Sequence, residues 1–396
     1  MRIGIFSDTF PPQVNGVANT ALTSAITLGN LGHEVFVYTV AGSLLRRQGG
    51  ELNGDGDYPF TIIRLPSVPA MVYHDQRIPL PLGLAINHAR RVRLDIIHAH
   101  TPFSIGWEAV LAAKLFNIPI VGTHHTFYDK YLKHVKLDYA WARSFSWNYV
   151  NFYYNCCDAV VSPSKSLAQE LKNYGLKRPM EIIVNAIDTE LFKPAGDDIA
   201  KERLKSSLGF RKKTLVYMGR VSYEKKIDQV VRAFAMALKS EPFIGLVIVG
   251  DGPEKGAIEL LVKDLGIGKN VSFVGFKRGG ELVEVLQASD VFVTASDSEN
   301  MPLSVLEAMS AGLPVIGARA LGIPEIVKEG VNGLLFTPGD LRDMAEKIIL
   351  LTRDGEMARS FSNNSRSLAL NYSRGSVTRS LERFYNDIIH QRLPNN

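Results

Sequence analysis

Residues 214–234, "TLVYMGRVSYEKKIDQVVRAF", change from one hydrophobic pattern to another along their length. The first part is an apolar run that suits a buried strand. In the second part, positions 227, 230, 231 and 234 are apolar, as on one face of an amphipathic helix. The stretch therefore predicts a strand, a loop and a helix, which is the repeating element of a parallel α/β sheet.

The same alternation of strand-like and helix-like patterns runs through the whole chain. Several strand segments are apolar on both faces, as expected of strands covered by helices on each side. The predicted strands are residues 2–6, 34–40, 61–65, 94–100, 118–123, 158–164, 181–187, 214–220, 245–251, 271–276, 290–296, 314–318 and 333–338. We therefore predict an α/β fold with parallel, doubly wound sheets.

A chain of 396 residues exceeds what one hydrophobic core usually supports, so two domains are expected. The segment "NAIDTELFKPAGDDIAKE", residues 185–202, interrupts the strand and helix patterns and is the best linker candidate. We place two Rossmann-like domains at residues 1–190 and 191–375, followed by an amphipathic helix in residues 376–396. Ligands of such sheets bind beyond the carboxyl ends of the strands, so a cleft between the two domains is the expected site.

The composition is that of a soluble globular protein, with 46% hydrophobic and 21% charged residues. Residues 1–180 carry 17 basic and 12 acidic side chains, whereas the remaining 216 residues carry 28 of each. This excess favours an anionic surface or ligand at the N-terminal half, or serves only solubility. Neither a signal peptide nor a membrane-spanning run is recognisable, and the only cysteines, Cys156 and Cys157, are adjacent, so we expect a cytoplasmic location.

Two loops at the ends of predicted strands suit an anionic ligand. Gly16 permits close backbone approach at a helix start whose free N–H groups suit a phosphate, although a plain βα turn has the same pattern. Arg220 and Lys225 flank the helix that follows the strand 214–220, and both complement an anion at its N-terminus. Diphosphate binding and a solvated basic turn are therefore the two interpretations of this loop.

The segment "GLVIVGDGPEKGAIELL", residues 245–261, resembles a dinucleotide fingerprint but has the spacing G-x-G-x-x-x-G. An acidic residue to hold a ribose is missing about twenty positions later. The pattern is therefore a weak signal for NAD and a better one for a loop packed beside a nucleotide.

Two glutamates bracket an apolar run in "SENMPLSVLEAMSAG", residues 298–312. Pro302 suits the first position of a helix, and Gly312 suits its end. Glu299 would then precede the helix and Glu307 would lie inside it, about 12 Å further along its axis. Free N–H groups between them would bind an anion while the carboxylates accept hydrogen bonds from hydroxyls, so a phosphorylated polyol is the expected ligand.

Four histidines lie within or directly after the ends of predicted strands: His98, His100, His124 and His125. Because neighbouring side chains on a strand point to opposite faces, at most one of His124 and His125 should face a cleft. Without a resemblance to guide the choice, surface or core histidines are the better interpretation. Their spacing is not that of a metal site with the cysteines.

These segments, "GRVSYEKK", "VIVGDGPE", "VSFVGF" and the paired glutamates of "ENMPLSVLEAMSAG", resemble the retaining nucleotide-sugar glycosyltransferases of family four, which have the GT-B fold. The resemblance extends from the first strand through about residue 340. It implies that residues 1–190 bind the acceptor, that residues 191–375 bind the donor, and that the helix in residues 376–396 packs back on the N-terminal domain. It implies transfer of a sugar from a nucleotide diphosphate donor with retention of the anomeric configuration. It also implies that neither a metal nor another cofactor is required.

The resemblance assigns catalytic roles to four residues. Arg220 and Lys225 would hold the donor diphosphate, Glu299 would contact the donor sugar, and His125 would lie near the reacting sugar. Glu307 would hold the ribose hydroxyls. The full donor-binding set implied by the resemblance is Gly16, Gly219, Asp251, Val274, Asn300, Met301, Pro302, Leu303 and Glu307.

Two positions depart from the family pattern. Asn300 replaces the glycine that usually follows the first glutamate, which bears on the choice of donor sugar. Ala186 replaces the glycine of the usual N-G-I-D linker, which affects only a turn. The donor nucleotide does not follow from the motifs, and UDP-glucose is taken as the default.

The segment 127–154 suits an anionic membrane surface, because it holds 11 of the 36 aromatic residues together with several cations. The segments "HTPF", residues 100–103, and "HHTFYDKYL", residues 124–132, also resemble the branch of the family that glycosylates diacylglycerol and related lipids. A helix packed inside the domain is the alternative. The expected acceptor and membrane residues are Tyr128, Lys130, Tyr131, Lys133, Lys136, Trp141, Arg143 and Trp147.

We therefore expect a hexosyltransferase that uses a nucleotide sugar and a lipid acceptor, with peripheral attachment to the inner face of the membrane and no nucleic-acid partner. Transfer to a soluble sugar or small molecule is the alternative within the same enzyme class. A two-domain sugar-binding protein is the alternative outside it, and a dehydrogenase fits least.

Overall fold

The structure is a computed structural model that describes residues 1–13, 15–41, 58–69, 77–79, 83–125 and 139–392. It divides into two compact units. Unit 1 comprises Met1–Ala186 and Arg374–Asn396, and unit 2 comprises Ile187–Ser373. The boundaries expected from the sequence, after residues 190 and 375, lie a few residues further along the chain.

Unit 1 contains strands β1 (Arg2–Phe6), β2 (Glu34–Val40), β3 (Thr61–Leu65), β4 (Ser67–Pro69), β5 (Arg77–Pro79), β6 (Ile96–Ala99), β7 (Ile120–Thr123), β8 (Ala159–Ser162) and β9 (Met180–Ile182). Seven of them form a sheet in the order β3-β2-β1-β6-β7-β8-β9, and all of its neighbouring strands are parallel. Its helices are α1 (Gly16–Asn30), α2 (Leu84–Val92), α3 (Ser104–Phe116), α4 (Ala140–Asn155) and α5 (Lys165–Asn173).

Unit 2 contains strands β10 (Lys213–Met218), β11 (Ile244–Val249), β12 (Val271–Gly275), β13 (Val291–Thr294), β14 (Val315–Ala318) and β15 (Gly333–Phe336). They form a parallel sheet in the order β12-β11-β10-β13-β14-β15. Its helices are α6 (Asp198–Leu208), α7 (Ile227–Leu238), α8 (Lys255–Asp264), α9 (Gly279–Gln287), α10 (Leu303–Ser310), α11 (Ile323–Ile326), α12 (Leu341–Arg353) and α13 (Gly355–Ala369).

Helix α14 (Arg374–Arg392) belongs to unit 1, although the whole of unit 2 precedes it in the sequence. Its apolar residues recur every three or four positions, which places them on one face of the helix. That face is buried in the same core as residues of β1 and β2 and consists of Val377, Leu381, Tyr385 and Ile388.

The predicted α/β fold is confirmed, since every predicted strand forms part of one of the two parallel sheets. The predicted helix after β10 is confirmed as well. The four apolar positions that indicated it, Ile227, Val230, Val231 and Phe234, are all buried in α7. The antiparallel pair β4 and β5 was not predicted, because each strand has only three residues and contains a proline.

In each sheet, the order in which the strands follow one another along the chain reverses at one pair of adjacent strands. In unit 1 the chain order reverses between β1 and β6, and in unit 2 it reverses between β10 and β13. Loops that follow the two strands of such a pair diverge, and the crevice between them is where ligands of doubly wound sheets bind. The loops that follow these four strands are therefore the expected ligand-binding loops of the two units.

Candidate functional site

The loops after β10 and β13 carry charged residues that pair with one another. Lys225, in a single 3₁₀ turn before α7, forms an ion pair with Glu299 in the loop after β13. The next residue, Lys226, pairs with Asp297 and has a left-handed backbone conformation, with φ of 51°. These two pairs hold the loops together at the point where the sheet of unit 2 reverses.

Arg220 lies at the start of the same loop and is exposed. Its backbone carbonyl accepts a hydrogen bond of 3.0 Å from the Tyr217 hydroxyl, which fixes the main chain at this position. Among the residues that the structure describes, its guanidinium has no ion-pair partner. The second predicted cation, Lys225, is instead held by a carboxylate.

The glycines of "VGDGPE" allow the loop after β11 to pack against the loop after β10. A Cβ atom at Gly250 would lie 1.9 Å from the carbonyl oxygen of Gly219, and one at Gly252 would lie 2.3 Å from that of Val221. Hydrogen bonds join the same loops, from Gly219 N to Val249 O at 3.0 Å and from Val221 N to Asp251 O at 2.9 Å. The glycine spacing thus serves contact between two loops, one of which carries Arg220.

Two further predicted donor residues lie at strand ends in unit 2. Asp251 is exposed, and its carboxylate accepts a hydrogen bond of 2.8 Å from Gly252 N. This bond, together with Lys255, lowers the pKa of Asp251. Val274 is half-buried near the end of β12.

Helix α10 begins one residue later than predicted, because Pro302 is the N-cap and not the first helical residue. Pro302 has an extended backbone and provides no side-chain cap, and the first turn contains no acidic residue. The N–H groups of the first turn, which starts at Leu303, are therefore available for an anion. The predicted end is confirmed, since Gly312 and Leu313 N–H groups bond back to the last helical turn.

Glu307 is a half-buried carboxyl within α10. Burial raises the pKa of this side chain to about 8, because removing the carboxylate from water disfavours its charged form. The isolated protein therefore keeps Glu307 mostly protonated at neutral pH. A ligand that donates hydrogen bonds to its oxygens would favour the ionised form.

A second loop, after β14, supports the backbone next to Glu299. Gly322 N donates a hydrogen bond of 3.0 Å to the Glu299 carbonyl, and a Cβ atom at Gly322 would lie 1.4 Å from the Asn300 carbonyl oxygen. Leu321, which precedes it, has φ of 46°, a left-handed value that a branched side chain rarely adopts. The loop thus holds the buried residues Asn300 and Met301 in place.

Replacing Gly322 by alanine is expected to lower the free energy of unfolding by about 2 kcal/mol, because the added methyl group must displace the Asn300 backbone. The apparent KM for the donor should rise as well. Urea unfolding and donor titration measure the two effects. Gly256→Ala is the matched control, because a Cβ atom there meets nothing within 4 Å, and equal behaviour of the two variants would contradict the supporting role of Gly322.

In unit 1, Gly16 is the first residue of α1, after the loop that follows β1. The Asn15 side chain caps this helix by accepting a hydrogen bond of 2.8 Å from Ala18 N. A Cβ atom at Gly16 would have no neighbour within 4 Å among the described residues. Its surroundings in unit 1 alone therefore do not require a glycine, which leaves close approach of a ligand as the proposed reason.

The adjacent histidines after β7 have different neighbours, as strand alternation predicts. His124 is fully buried and its ring lies against Trp147 and Tyr154, at 5.9 and 5.2 Å between centroids. The His125 ring instead lies nearly parallel to the His100 ring, and a hydrogen bond of 3.1 Å joins the edges of the two rings. Burial lowers the pKa of His125 to about 4, so the ring is neutral at physiological pH.

Buried carboxylates of unit 1 are used in its own structure. Asp8, in the loop after β1, accepts hydrogen bonds from Thr101 Oγ1, Ser104 Oγ and Ile105 N, all within 3.0 Å. Glu108 accepts bonds from Gly83 N and Ala85 N at 3.1 Å. Both carboxylates thereby stabilise the starts of helices.

The aromatic segment is only partly described. Tyr128, Lys130, Tyr131, Lys133 and Lys136 lie outside the described residues. In α4, Trp141 and Phe145 are 67% and 69% exposed, and Arg143 is half-buried. Trp147, expected at a membrane surface, is only 3% exposed and stacks on Tyr174, so this expectation was wrong for Trp147, which contributes to packing.

The described part of the chain holds no group of three or more His, Cys, Asp or Glu side chains arranged to bind a metal ion. In the same residues, no helix has the length and apolar character needed to span a membrane.

Two protein families match the chain, one for each half. The family described as Glycosyltransferase Family 4 matches residues 14–191, and the family described as Glycosyl transferases group 1 matches residues 198–368.

Two curated relatives carry the same name. The alpha-monoglucosyldiacylglycerol synthase of Streptococcus pneumoniae is 34% identical over 342 residues, which cover 85% of this chain and 75% of that protein. The enzyme of that name from Acholeplasma laidlawii is 29% identical over 399 residues, covering 98% of each. Among solved structures, Anabaena HepE in complex with UDP superposes with a TM-score of 0.78 at 19% identity, covering 98% of this chain and 100% of that one.

Proposed function

The chain belongs to the GT-B glycosyltransferases that combine a family 4 domain with a group 1 domain, and we propose that it transfers glucose from UDP-glucose to diacylglycerol or a related lipid. The names of the two relatives support the sugar and the lipid, and the UDP bound to HepE supports the nucleotide. The proposed reaction retains the anomeric configuration and requires no metal.

The proposal depends most on the arrangement of charge after β10 and β13, the adjacent strands at which the strand order of unit 2 reverses. Arg220 and Lys225 follow β10, and the uncapped start of α10 follows β13. All three stabilise negative charge, which is what a departing nucleotide diphosphate acquires. In the protein without a donor, Lys225 forms an ion pair with Glu299. A bound diphosphate would either share Lys225 with Glu299 or replace Glu299 as its partner.

The two glutamates suit the neutral parts of the donor. Glu307 lies in a half-buried position where its carboxylate would accept hydrogen bonds from the two ribose hydroxyls. Glu299, held between Lys225 and the Gly322 backbone, would contact hydroxyls of the donor sugar. Asn300 follows it in place of the usual glycine and, in this proposal, affects which donor sugar is bound.

In the proposed reaction, the bond between the anomeric carbon and the phosphate oxygen breaks, and its electron pair stays with the diphosphate. The acceptor hydroxyl bonds to the anomeric carbon from the same face, and its proton passes to an oxygen of the leaving phosphate. This front-side route needs no enzymic nucleophile. It accords with the position of Asp8, a buried carboxylate in the loop after β1 whose oxygens already accept hydrogen bonds from Thr101 and from the start of α3. A covalent sugar–carboxylate adduct would contradict it.

A thermal-shift panel of UDP, GDP and ADP tests the donor without knowledge of the acceptor. UDP should raise the Tm most, since a ligand that binds only the native state stabilises it. Labelled UDP-glucose with either diacylglycerol in mixed micelles or soluble sugars then tests the acceptor. Turnover only with soluble acceptors would contradict the lipid assignment, and the absence of any transfer or donor hydrolysis would favour a sugar-binding protein.

An exposed aromatic face supports the proposed lipid acceptor. Trp141, Phe145 and Phe152 lie three to four residues apart, or multiples of that, along α4, and Phe152 is 63% exposed. Helix α3 continues this face, because its Trp107 ring lies 5.8 Å from Phe152 and its Leu115 is exposed. Such a face suits the boundary between headgroups and acyl chains.

The double variant Trp141→Ser/Phe145→Ser is expected to bind anionic liposomes about tenfold more weakly than the wild type, because it loses two apolar anchors. Co-sedimentation with phosphatidylglycerol vesicles at low and high salt measures this loss. Phe243→Ser, which removes a 76% exposed ring from unit 2, is the matched control. If the double variant and the control bind equally well, α4 does not contact the membrane.

A further inference from the structure

Unit 1 contains a connected group of buried rings that the proposed reaction does not use. His98 and His100 are two residues apart at the end of β6, so their side chains lie on the same face of the sheet. His98 Nδ1 lies 2.5 Å from the Tyr385 hydroxyl of α14, and His98 Nε2 lies 2.5 Å from Thr123 Oγ1. The ring of His98 is therefore fixed at both nitrogens.

The second ring of the group connects His98 to His125. The His100 ring centroid lies 4.2 Å from that of His98 and 5.3 Å from that of His125, to which it is nearly parallel. A hydrogen bond of 3.1 Å joins His100 Nδ1 to His125 Nε2. Contacts thus run without interruption from Tyr385 through His98 and His100 to His125.

All three rings are neutral. Burial lowers the pKa of His98 to about 3 and that of His125 to about 4, and it lowers the pKa of His100 well below its usual value. A neutral ring donates one hydrogen bond and accepts one, so each shared bond also determines which nitrogen of the neighbouring ring carries its proton. The group can therefore fix both the orientation and the tautomer of His125.

A cavity of about 30 Å³ lies beside His100. It is bordered by hydroxyl groups of α1 and α14, by the Asn185 side chain and by His98, His100 and His125. Among the described residues, the buried Nε2 of His100 has no hydrogen-bond partner. Aliphatic side chains, among them Val161 and Leu381, form the rest of its lining. A cavity of this size has room for about two water molecules, and one bound at the polar side would satisfy this nitrogen.

We propose that His100 is a positioning residue for His125, held in place by the His98–Tyr385 pair and by water bound at its Nε2. The inference rests on the proposed place of His125 beside the reacting sugar. It extends the site to α14, since the Tyr385 hydroxyl then acts on the sugar through the rings of His98, His100 and His125. His125 is the residue that touches substrate, whereas His98, His100 and Tyr385 act through it.

Two conservative variants test the group from opposite ends. His100→Phe keeps a ring but removes both nitrogens, and Tyr385→Phe removes one hydroxyl from α14. We expect kcat to fall about tenfold for His100→Phe and about threefold for Tyr385→Phe, while the donor KM changes less than about twofold, because a misplaced group near the reacting atoms affects mainly the chemical step. ¹⁵N NMR of the imidazole nitrogens should show a changed tautomer balance for His125 in His100→Phe, which loses the hydrogen bond to that ring. In Tyr385→Phe the change should appear at His98, which loses its hydroxyl partner.

Unit 1 offers a matched control pair. The Tyr38 hydroxyl lies 3.0 Å from His88 Nδ1, an arrangement like that of Tyr385 with His98 but without contact to His125. Tyr38→Phe and His88→Phe should lose similar stability and leave kcat and the His125 resonances unchanged. Water–imidazole cross-relaxation at His100 in the wild type tests the cavity water.

The NMR measurement needs no substrate, so it tests the positioning role even if the proposed donor or acceptor is wrong. Unchanged His125 resonances in His100→Phe would overturn the inference. Changed resonances with wild-type kcat would overturn the placement of His125 beside the sugar, and with it the catalytic effect of His100. Equal losses of kcat in Tyr38→Phe and Tyr385→Phe would show that the loss in Tyr385→Phe comes from general destabilisation and not from a contact with His98.

Discussion

The double variant Arg220→Ala/Lys225→Ala is expected to lose at least about 10³-fold in kcat for transfer from UDP-glucose. Both cations follow β10 at the point where the sheet of unit 2 reverses. Removing a single fixed group that stabilises developing negative charge typically costs 10²- to 10³-fold in kcat, that is, about 3–4 kcal/mol. Steady-state kinetics with saturating acceptor measure the loss, and a wild-type kcat would refute the proposed stabilisation of the leaving diphosphate.

Because Lys225 and Glu299 form an ion pair, the activity lost in a single variant has two causes. Lys225→Ala also leaves the Glu299 carboxylate without this partner, so part of its effect reflects a misplaced glutamate. A double-mutant cycle with Glu299→Gln separates the two contributions, because contacts with the donor and contacts between the residues combine differently. We expect Glu299→Gln to restore part of the donor affinity lost in Lys225→Ala.

A charge-matched control is available on the same unit. Lys239 follows the C-terminal end of α7, at the other end of the helix from Lys225, and Arg342 is exposed near the start of α12. The variant Lys239→Ala/Arg342→Ala removes the same net charge without touching the loops after β10 and β13. A comparable loss of activity in this control would show that the effect comes from net charge and not from position.

Glu307→Gln is expected to weaken UDP binding about 100-fold, because an amide cannot replace a carboxylate as acceptor for two ribose hydroxyls. Binding of UDP should also release a proton from Glu307 of the wild type. With a pKa of about 8, Glu307 in the free protein is largely protonated at pH 7.5, and hydroxyl donors would ionise it. Calorimetry in buffers of different ionisation enthalpy should show release of about 0.8 of a proton in the wild type and almost none from this site in the variant.

The same raised pKa predicts a pH-dependent cost in stability. The native state holds a proton on Glu307 that the unfolded chain, with the ordinary value of 4.5, has already released. The free energy of unfolding therefore falls as the pH rises from about 4.5 through about 8. Glu307→Gln removes this dependence, so it should be more stable than the wild type at pH 8, by about 4 kcal/mol, and within about 1 kcal/mol of it at pH 5.

Glu346→Gln provides the comparison for both measurements, because Glu346 is exposed on α12. It should keep wild-type affinity, proton release and pH dependence of stability. If Glu307→Gln binds UDP as tightly as this control does, Glu307 does not contact the ribose. If the two variants have the same stability profile, the carboxyl of Glu307 is better solvated than its position in α10 indicates.

The fold could be read from the sequence because its signals are local. A run such as residues 214–218 is short and apolar on both faces, which is typical of a strand covered by helices on each side. The start of α10 was displaced by one residue, since Pro302 is compatible with either the N-cap or the first helical turn, and the choice depends on the preceding loop.

The contacts of the site were less accessible from the sequence because they join distant segments. Lys225 and Glu299 are 74 positions apart, and each had been predicted to bind the donor without their pairing being foreseen. Gly322 and Lys226 were missed altogether, because their importance lies in contacts with Asn300 and Asp297. His100 was interpreted as a surface or core histidine, since nothing in "HAH" indicates that its ring meets His125.

The discontinuity of unit 1 affects how the protein is made. Translation delivers residues 1–186 first, but their core also needs the apolar face of α14, which leaves the ribosome only after residues 187–373. Unit 2 is continuous and can fold as soon as its own segment has emerged. The nascent first unit must therefore wait with an exposed apolar surface, and chaperone protection matters most during that interval.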